Sequence, residues 1–82
     1  MTETEVFEWI LYTRPDCHLC EVAAKILDAR GLSWRPRNID ADLDLIRRYG
    51  DKVPVLCRNQ DGAELFWPFD DEDVSSLTNA AN

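Results

Sequence analysis

Two cysteines separated by two residues, Cys17 and Cys20, are the residues of this sequence best suited to chemistry. They follow a strand-like run and begin a helical pattern, so their sulfurs are about one helical turn apart, a distance at which a disulfide can form. Unpaired N–H groups and the positive end of the helix dipole favour the thiolate of the first cysteine, which is the nucleophilic form. The second thiol can then displace whatever is bound to the first. This spacing predicts a site of dithiol–disulfide exchange.

The residues next to this cysteine pair can have either a chemical role at the site or a purely structural one. His18 can lower the pKa of a neighbouring thiol or donate a proton to a leaving thiolate, and it can equally be an exposed histidine at a helix start. Arg14 is either a partner for a thiolate or carboxylate or a solvated side chain. Asp16 and Glu21 act in the opposite direction, because nearby carboxylates raise the pKa of a thiol. The sequence therefore leaves the pKa of the two thiols open.

The third cysteine, Cys57, lies in a predicted strand next to Leu56. We interpret it as a small buried hydrophobic residue, with a third redox thiol as the alternative. A zinc site needs about four ligands, and the candidates are limited to Cys17, His18, Cys20 and Cys57, without a second Cys-x-x-Cys or a His pair. We therefore expect no metal.

The composition indicates one small domain over residues 1–82, with 45% apolar residues for a single modest core. The odd number of cysteines and the lack of a signal-like N-terminal pattern predict a reducing, cytoplasmic location. No apolar run approaches the ~20 residues that span a bilayer. Sixteen acidic against nine basic residues give a net charge of −7, which repels nucleic acids and anionic membranes. We expect a monomer that binds neither.

The first half of the chain predicts a strand followed by a helix. Residues 6–12 are rich in aromatic and β-branched types and apolar on both faces, as in an inner strand. From Leu19 to Leu27 the apolar positions follow the i, i+3, i+4, i+7 stripe of an amphipathic helix. Asp16 is the predicted N-cap of this helix, and Gly31 is its predicted end.

The second half predicts an edge strand, a short helix, a hairpin and a last helix. Pro36 places its strand at the edge of the sheet because proline lacks an N–H group. The predicted elements are a strand over 33–39, a short helix that starts at 40–42 and is ended by Gly50, a strand over 53–57, a loop over 58–62, a strand over 63–67 and a helix capped by Asp70 or Asp71 that buries Val74 and Leu77. The order β-α-β-α-β-β-α gives an α/β fold with a four-stranded mixed sheet and three helices.

This order, the Cys-x-x-Cys between the first strand and the first helix, and Val53-Pro54 opening the third strand together resemble the thioredoxin fold and, within it, the glutaredoxin branch. The run of residues 11–21 is also similar to a group of short glutaredoxin-like proteins. The resemblance implies that Cys17 is the nucleophile and Cys20 the resolving thiol. It also implies that Pro54 is cis and that the backbone of Val53 lies beside the sulfurs to pair with a bound peptide or glutathione.

The sequence departs from glutaredoxins at three places. His18-Leu19 replaces the usual Pro-Tyr, Lys52 replaces a threonine before Val-Pro, and the bulky residues 66–69 replace a Gly-Gly that lets glutathione approach the backbone. Arg14 matches a basic position that contacts a glutathione carboxylate in relatives, and Asp70 or Asp71 stands near the acid of the last helix. Glutathione is therefore the candidate co-substrate, although the resemblance no longer implies it, and we expect no other cofactor.

Two functional hypotheses follow. The leading one is a small cytoplasmic thiol–disulfide oxidoreductase that acts on protein or low-molecular-weight disulfides through Cys17 and Cys20. The alternative is a non-catalytic binding module that holds a partner on the aromatic surface of residues 66–69, where Trp67 is the expected centre. The other two tryptophans, Trp9 and Trp34, are expected in the core.

Overall fold

A computed structural model of the chain describes residues 8–79. The elements in chain order are β1 (Trp9–Thr13), α1 (His18–Ala29), β2 (Trp34–Asn38), one 3₁₀ turn (Ile39–Ala41), α2 (Leu43–Tyr49), β3 (Val55–Arg58), β4 (Glu64–Phe66) and α3 (Asp71–Asn79). This is the predicted β-α-β-α-β-β-α order, except that a separate 3₁₀ turn occupies most of the predicted helix start at residues 40–42, and α2 itself begins at Leu43. The part of the first predicted strand at residues 6 and 7 lies outside the described residues.

The four strands form one mixed sheet in the order β2-β1-β3-β4. β1 pairs in parallel with β2 and antiparallel with β3, and β3 pairs antiparallel with β4. β1 is therefore an inner strand and β2 an edge strand, as predicted. Pro36 lies in that edge strand, where its missing N–H group leaves no gap between paired strands.

Each face of the sheet has its own hydrophobic core, because successive side chains of a strand point to opposite faces. The larger core joins the sheet to α1 and α3 and contains Trp9, Leu11, Ala23, Leu27, Leu56, Phe69 and Val74. The smaller core lies under α2 and contains Ile39, Tyr49 and Val55. Trp9 is buried as expected, whereas Trp34 is only partly buried and packs against the rim of the larger core.

The ends of the predicted elements needed several corrections. β3 begins at Val55 instead of residue 53; a turn at residues 51 and 52 and the cis Val53–Pro54 peptide bond precede it. β4 is shorter than predicted, and a second cis bond, Trp67–Pro68, follows it. Gly31 ends α1 as predicted, with a positive φ of 70° that glycine adopts without steric cost.

Candidate active site

Cys17 and Cys20 lie at the N-terminal end of α1, with Cα atoms 5.2 Å apart and their sulfurs at disulfide-bonding distance. Cys17 is the N-cap residue, and its sulfur accepts a hydrogen bond from the backbone N–H of Cys20 at 3.1 Å. Such a donor stabilises a thiolate more than a thiol. Cys17 is half-buried, whereas Cys20 is only 6% exposed, so a large disulfide can reach the first sulfur more easily than the second.

Asp16 is not the N-cap that the sequence pattern predicted. Its φ of 59° places it in the left-handed region, which Asp tolerates better than most residues. An N-cap residue needs an extended backbone, and Cys17 has one, with φ −100° and ψ 102°. The turn at Asp16 therefore moves the cap by one residue and gives the capping role to the cysteine sulfur.

Arg14 forms two hydrogen bonds within the protein. Its Nε donates to Asp40 Oδ1 at 2.9 Å, and its terminal nitrogen donates to the Gly50 carbonyl at 3.0 Å. These bonds tie the loop before Cys17 to the 3₁₀ turn and to the C-terminal end of α2. The carboxylate that Arg14 contacts in the structure is that of Asp40, and 26 residues separate the two. No local sequence signal could identify Asp40 as that partner.

The cis bond that the resemblance implied at Pro54 is present. Pro54 is fully buried and directly precedes β3. Because the register pairs Tyr12 with Val55, Val53 and Pro54 come next to the end of β1 that leads into the loop before Cys17. Sheet register therefore brings this turn to the same end of the molecule as the cysteine pair.

The two aspartates predicted at the last helix serve it structurally. Asp70 caps α3, since its Oδ1 accepts from the N–H of Asp73 at 2.9 Å. Asp71 forms an ion pair with Arg30 at 3.0 Å. Arg30 is the C-cap of α1, at the opposite end of that helix from Cys17. The structure thus brings Asp71 to the end of α1 remote from the cysteines.

A cavity of about 240 Å³ lies beside the cysteine pair. Its lining consists of Leu11, Thr13, Arg14, Asp16, Cys17, Cys20, Glu21, Ala24, Trp34 and Pro36. The lining is therefore mixed: its apolar residues come from β1, β2 and α1, and its charged residues come from the segments next to the two cysteines. His18 is exposed at the first position of α1 and is not among the lining residues.

The aromatic surface predicted at residues 66–69 is smaller than expected. Phe66 is 45% exposed and Pro68 is exposed, but Phe69 is only 4% exposed and belongs to the larger core. Trp67 is half-buried and contacts the edge of Phe69, with ring centroids 5.1 Å apart. The sequence did not predict the burial of Phe69, because a run of adjacent aromatic residues does not show the periodicity of a helix or a strand.

Cys57 is half-buried in β3, and its thiol is free. Burial, followed by the nearby carboxylates of Glu64 and Asp61, raises the pKa of this thiol. Cys57 is therefore held as an uncharged thiol at neutral pH, although it is less buried than expected.

Between residues 8 and 79, His, Cys, Asp and Glu side chains form no group of three or more that could hold a metal ion. Over the same residues, no helix has the length and apolar character needed to cross a bilayer.

Comparison with solved structures gives close matches over nearly the whole chain. The X-ray structure of the protein XcR50 from X. campestris is 41% identical, with a TM-score of 0.82, and the match covers 90% of this chain and 99% of that one. Protein Ne2328 from Nitrosomonas europaea is 28% identical, with a TM-score of 0.70 and coverage of 94% and 96%. The thioredoxin-like protein BC3987, 20% identical with a TM-score of 0.64 and coverage of 84% and 97%, is similar in fold alone.

A comparison with curated protein sequences gave no match. A family model does match: the glutaredoxin-like domain (DUF836) aligns with residues 8–77, which include every element of the site. The sheet order, the three helices and the cysteine pair at the start of α1 agree with this assignment. The chain therefore belongs to the glutaredoxin-like domain family (DUF836) and has the thioredoxin fold.

Proposed function

We propose that the protein is a thiol–disulfide oxidoreductase in which Cys17 is the nucleophile and Cys20 the resolving thiol. The observation that carries the proposal is the 3.1 Å hydrogen bond from the Cys20 N–H to the Cys17 sulfur. In the reduced protein this N–H group stabilises negative charge on the sulfur of Cys17, which is the more exposed of the two residues. The 6% exposure of Cys20 suits a thiol that meets only its partner cysteine.

The reaction is a two-electron exchange in two displacement steps. The Cys17 thiolate attacks one sulfur of a substrate disulfide, forms a mixed disulfide and releases the other sulfur as a thiolate. Cys20, after losing its proton to solvent, attacks the Cys17 sulfur, forms the Cys17–Cys20 disulfide and releases the second substrate thiolate. The substrate is reduced to two thiols, and an external thiol reductant returns the pair to its dithiol form.

The other parts of the site are proposed to bind and orient the substrate. The turn at Val53 and Pro54 offers backbone groups at the same end of the sheet as the cysteines, where an extended peptide can pair with them. No organic cofactor takes part in either displacement. An external small thiol of a reducing cytoplasm is the proposed reductant.

The test uses Cys20→Ser in a Cys57→Ala background, so that the only remaining thiol is Cys17. Without a resolving thiol, the mixed disulfide with a symmetric model disulfide should accumulate, with a mass increase of half of that disulfide minus one hydrogen. The matched control, Cys17→Ser in the same background, should form none. Failure of wild-type protein to exchange with any disulfide while both thiols stay unreactive would contradict the proposal.

The reduction potential of the cysteine pair gives a second, independent measurement. Equilibration with glutathione should give a value in the range of glutaredoxins, about −200 to −230 mV.

A partner that binds equally well to a variant with both Cys17→Ser and Cys20→Ser would instead support the binding-module hypothesis, for which exposed Phe66 is the remaining candidate contact.

A further inference from the structure

We propose that this site selects its substrates by charge and prefers disulfides flanked by cationic groups, such as those on a basic polypeptide segment, over anionic ones. This inference rests on the proposed function and specifies its substrate class. Glutathione disulfide, which carries an excess of carboxylates, is accordingly a poor substrate.

The first argument is the charge of the cavity beside the sulfurs. Of the described residues that line it, the charged ones are Asp16, Glu21 and Arg14. Asp16 directly precedes Cys17, and Glu21 directly follows Cys20, so both carboxylates lie next to the place where a substrate must bind. Both side chains belong to exposed residues, and a substrate entering the cavity meets them at close range.

The second argument is that the guanidinium of Arg14 already has a carboxylate partner within the chain. Asp40 accepts from it at 2.9 Å, and the Gly50 carbonyl accepts a second bond at 3.0 Å. A carboxylate of the substrate would have to compete with Asp40 for this cation and would gain little from it. With Arg14 paired, the charge that remains at the cavity wall is that of Asp16 and Glu21.

Other charged side chains lie outside the cavity lining. Lys52 is adjacent in sequence to Asp51, and Arg37, which follows the lining residue Pro36, forms an ion pair with Asp42 at 3.7 Å. The whole chain has a formal charge of −7 at pH 7, with His18 counted as neutral. Since charges act over about 10 Å at 0.1 M ionic strength, the carboxylates at the cavity dominate, and the net charge of the protein adds to them at low salt.

The test compares three small disulfides of similar size: 3,3′-dithiodipropionate, which is dianionic, hydroxyethyl disulfide, which is neutral, and cystamine, which is dicationic. Second-order rate constants with reduced protein are each divided by the rate constant of the uncharged dithiol dithiothreitol with the same compound. This removes the intrinsic reactivity of each disulfide. At low ionic strength we expect the normalised rate for cystamine to exceed that for dithiodipropionate by about tenfold or more.

Added salt should lower the rate constant for the reaction of the protein with cystamine, raise that for dithiodipropionate and leave that for hydroxyethyl disulfide unchanged. Glutathione disulfide should behave as the anionic compound does. Disulfide-linked peptides with lysine or glutamate next to the cysteine extend the same comparison to polypeptides, and the lysine peptide should react faster.

Two variants with the same change in net charge separate a local from a global effect. Glu21→Gln removes a carboxylate from the cavity wall and should lower the cystamine-to-dithiodipropionate ratio severalfold. Glu72→Gln removes an exposed carboxylate from α3 and should change the ratio much less. Equal effects of the two variants would overturn the assignment of selectivity to the cavity.

Equal normalised rates for the three compounds, or a faster rate for the anionic one, would overturn the inference about charge. The proposed function would still be supported if hydroxyethyl disulfide reacts in a way that depends on Cys17. Absence of Cys17-dependent reaction with all three would overturn both. The two failures are therefore distinguishable in one set of measurements.

Discussion

Tyr49 has the most strongly perturbed environment of the tyrosines in the described chain. Its ring stacks on Tyr12, with centroids 4.6 Å apart, and its hydroxyl donates a hydrogen bond to a carboxylate oxygen of Glu64. Burial, followed by the hydrogen bond to Glu64, raises the pKa of Tyr49 to about 12. The pKa of Tyr12 is also raised, chiefly by burial. These contacts of Tyr49 connect α2 with β1 and β4 on the face of the sheet opposite α1.

The raised pKa gives a prediction for alkaline pH. Stability from the protonated Tyr49 is fully present below the unfolded value of 10.0 and is lost as pH rises through the folded pKa of about 12. Phenolate absorbance of Tyr12→Phe, which leaves Tyr49 as the remaining tyrosine, should show a folded-state midpoint well above the midpoint in denaturant. Coincident midpoints would show that Tyr49 is not buried and hydrogen-bonded in this way.

At the scale of one element, α3 shows how a short acidic helix is held in place. Its N-terminus carries Asp71, Glu72 and Asp73, whose charges interact favourably with the helix dipole. Asp70 and Asp73 form reciprocal bonds: the Asp73 N–H donates to Asp70, and the Asp70 N–H donates to Asp73 Oδ2 at 3.1 Å. Val74, one residue into the next turn, is fully buried in the larger core. The cap thus fixes the point from which the helix packs.

Asp70→Ala should lower the free energy of unfolding by about 0.5–2 kcal/mol, because the side-chain acceptor of the cap is lost. Asp70→Asn keeps an oxygen acceptor at the same position and should recover most of this loss. Urea unfolding of the three proteins measures both effects. If Asn were as destabilising as Ala, the charge of Asp70 would matter more than its hydrogen bond.

At the scale of the whole molecule, Arg58 connects parts of the fold that are distant in sequence. Its side chain is only 11% exposed and makes two bonds to Asp61, at 3.0 and 2.7 Å. A third bond reaches the Leu77 carbonyl at 2.8 Å, and the guanidinium lies 5.8 Å from the ring centroid of Trp9. One side chain thereby joins the end of β3, the hairpin loop and the last turns of α3.

Arg58→Met should reduce the thermal midpoint by at least about 4–8 °C, the shift that a loss of about 1 kcal/mol causes in a domain of this size. Arg58→Lys should recover little, because an ammonium group cannot reproduce the two-pronged contact with a carboxylate. Thermal unfolding followed by circular dichroism measures both. Full recovery by lysine would show that charge alone is sufficient at this position.

The ion pair between Arg58 and Asp61 can also be tested by measuring stability at acid pH. The hydrogen bond from Arg58 lowers the pKa of Asp61 to about 2. Its contribution to stability is therefore present above the unfolded pKa of 3.8 and is lost as pH falls towards 2. Asp61→Asn should show a flatter dependence of stability on pH in this range, and an unchanged dependence would contradict the assignment.

Much of the architecture could be predicted because it depends on local patterns. The apolar stripe of α1, the glycines at its end and at the end of α2, and Pro36 on the edge strand each act over a few residues. Capping was less predictable: Asp16 is a favourable N-cap type, but its left-handed backbone moves the cap to Cys17. That conformation depends on the connection between β1 and α1 and has no signature in residue type.

The sequence by itself determined the element order, the inner position of β1 and the location of Cys17 and Cys20 at the start of α1, because periodicity and turn residues are local properties. The tertiary structure alone decided that Arg14 is paired with Asp40, that Asp71 lies at the far end of α1 and that Phe69 is in the core. These are contacts between residues distant in the chain. They form only when the elements pack, so the charge of the cavity beside the sulfurs could be read only from the folded molecule.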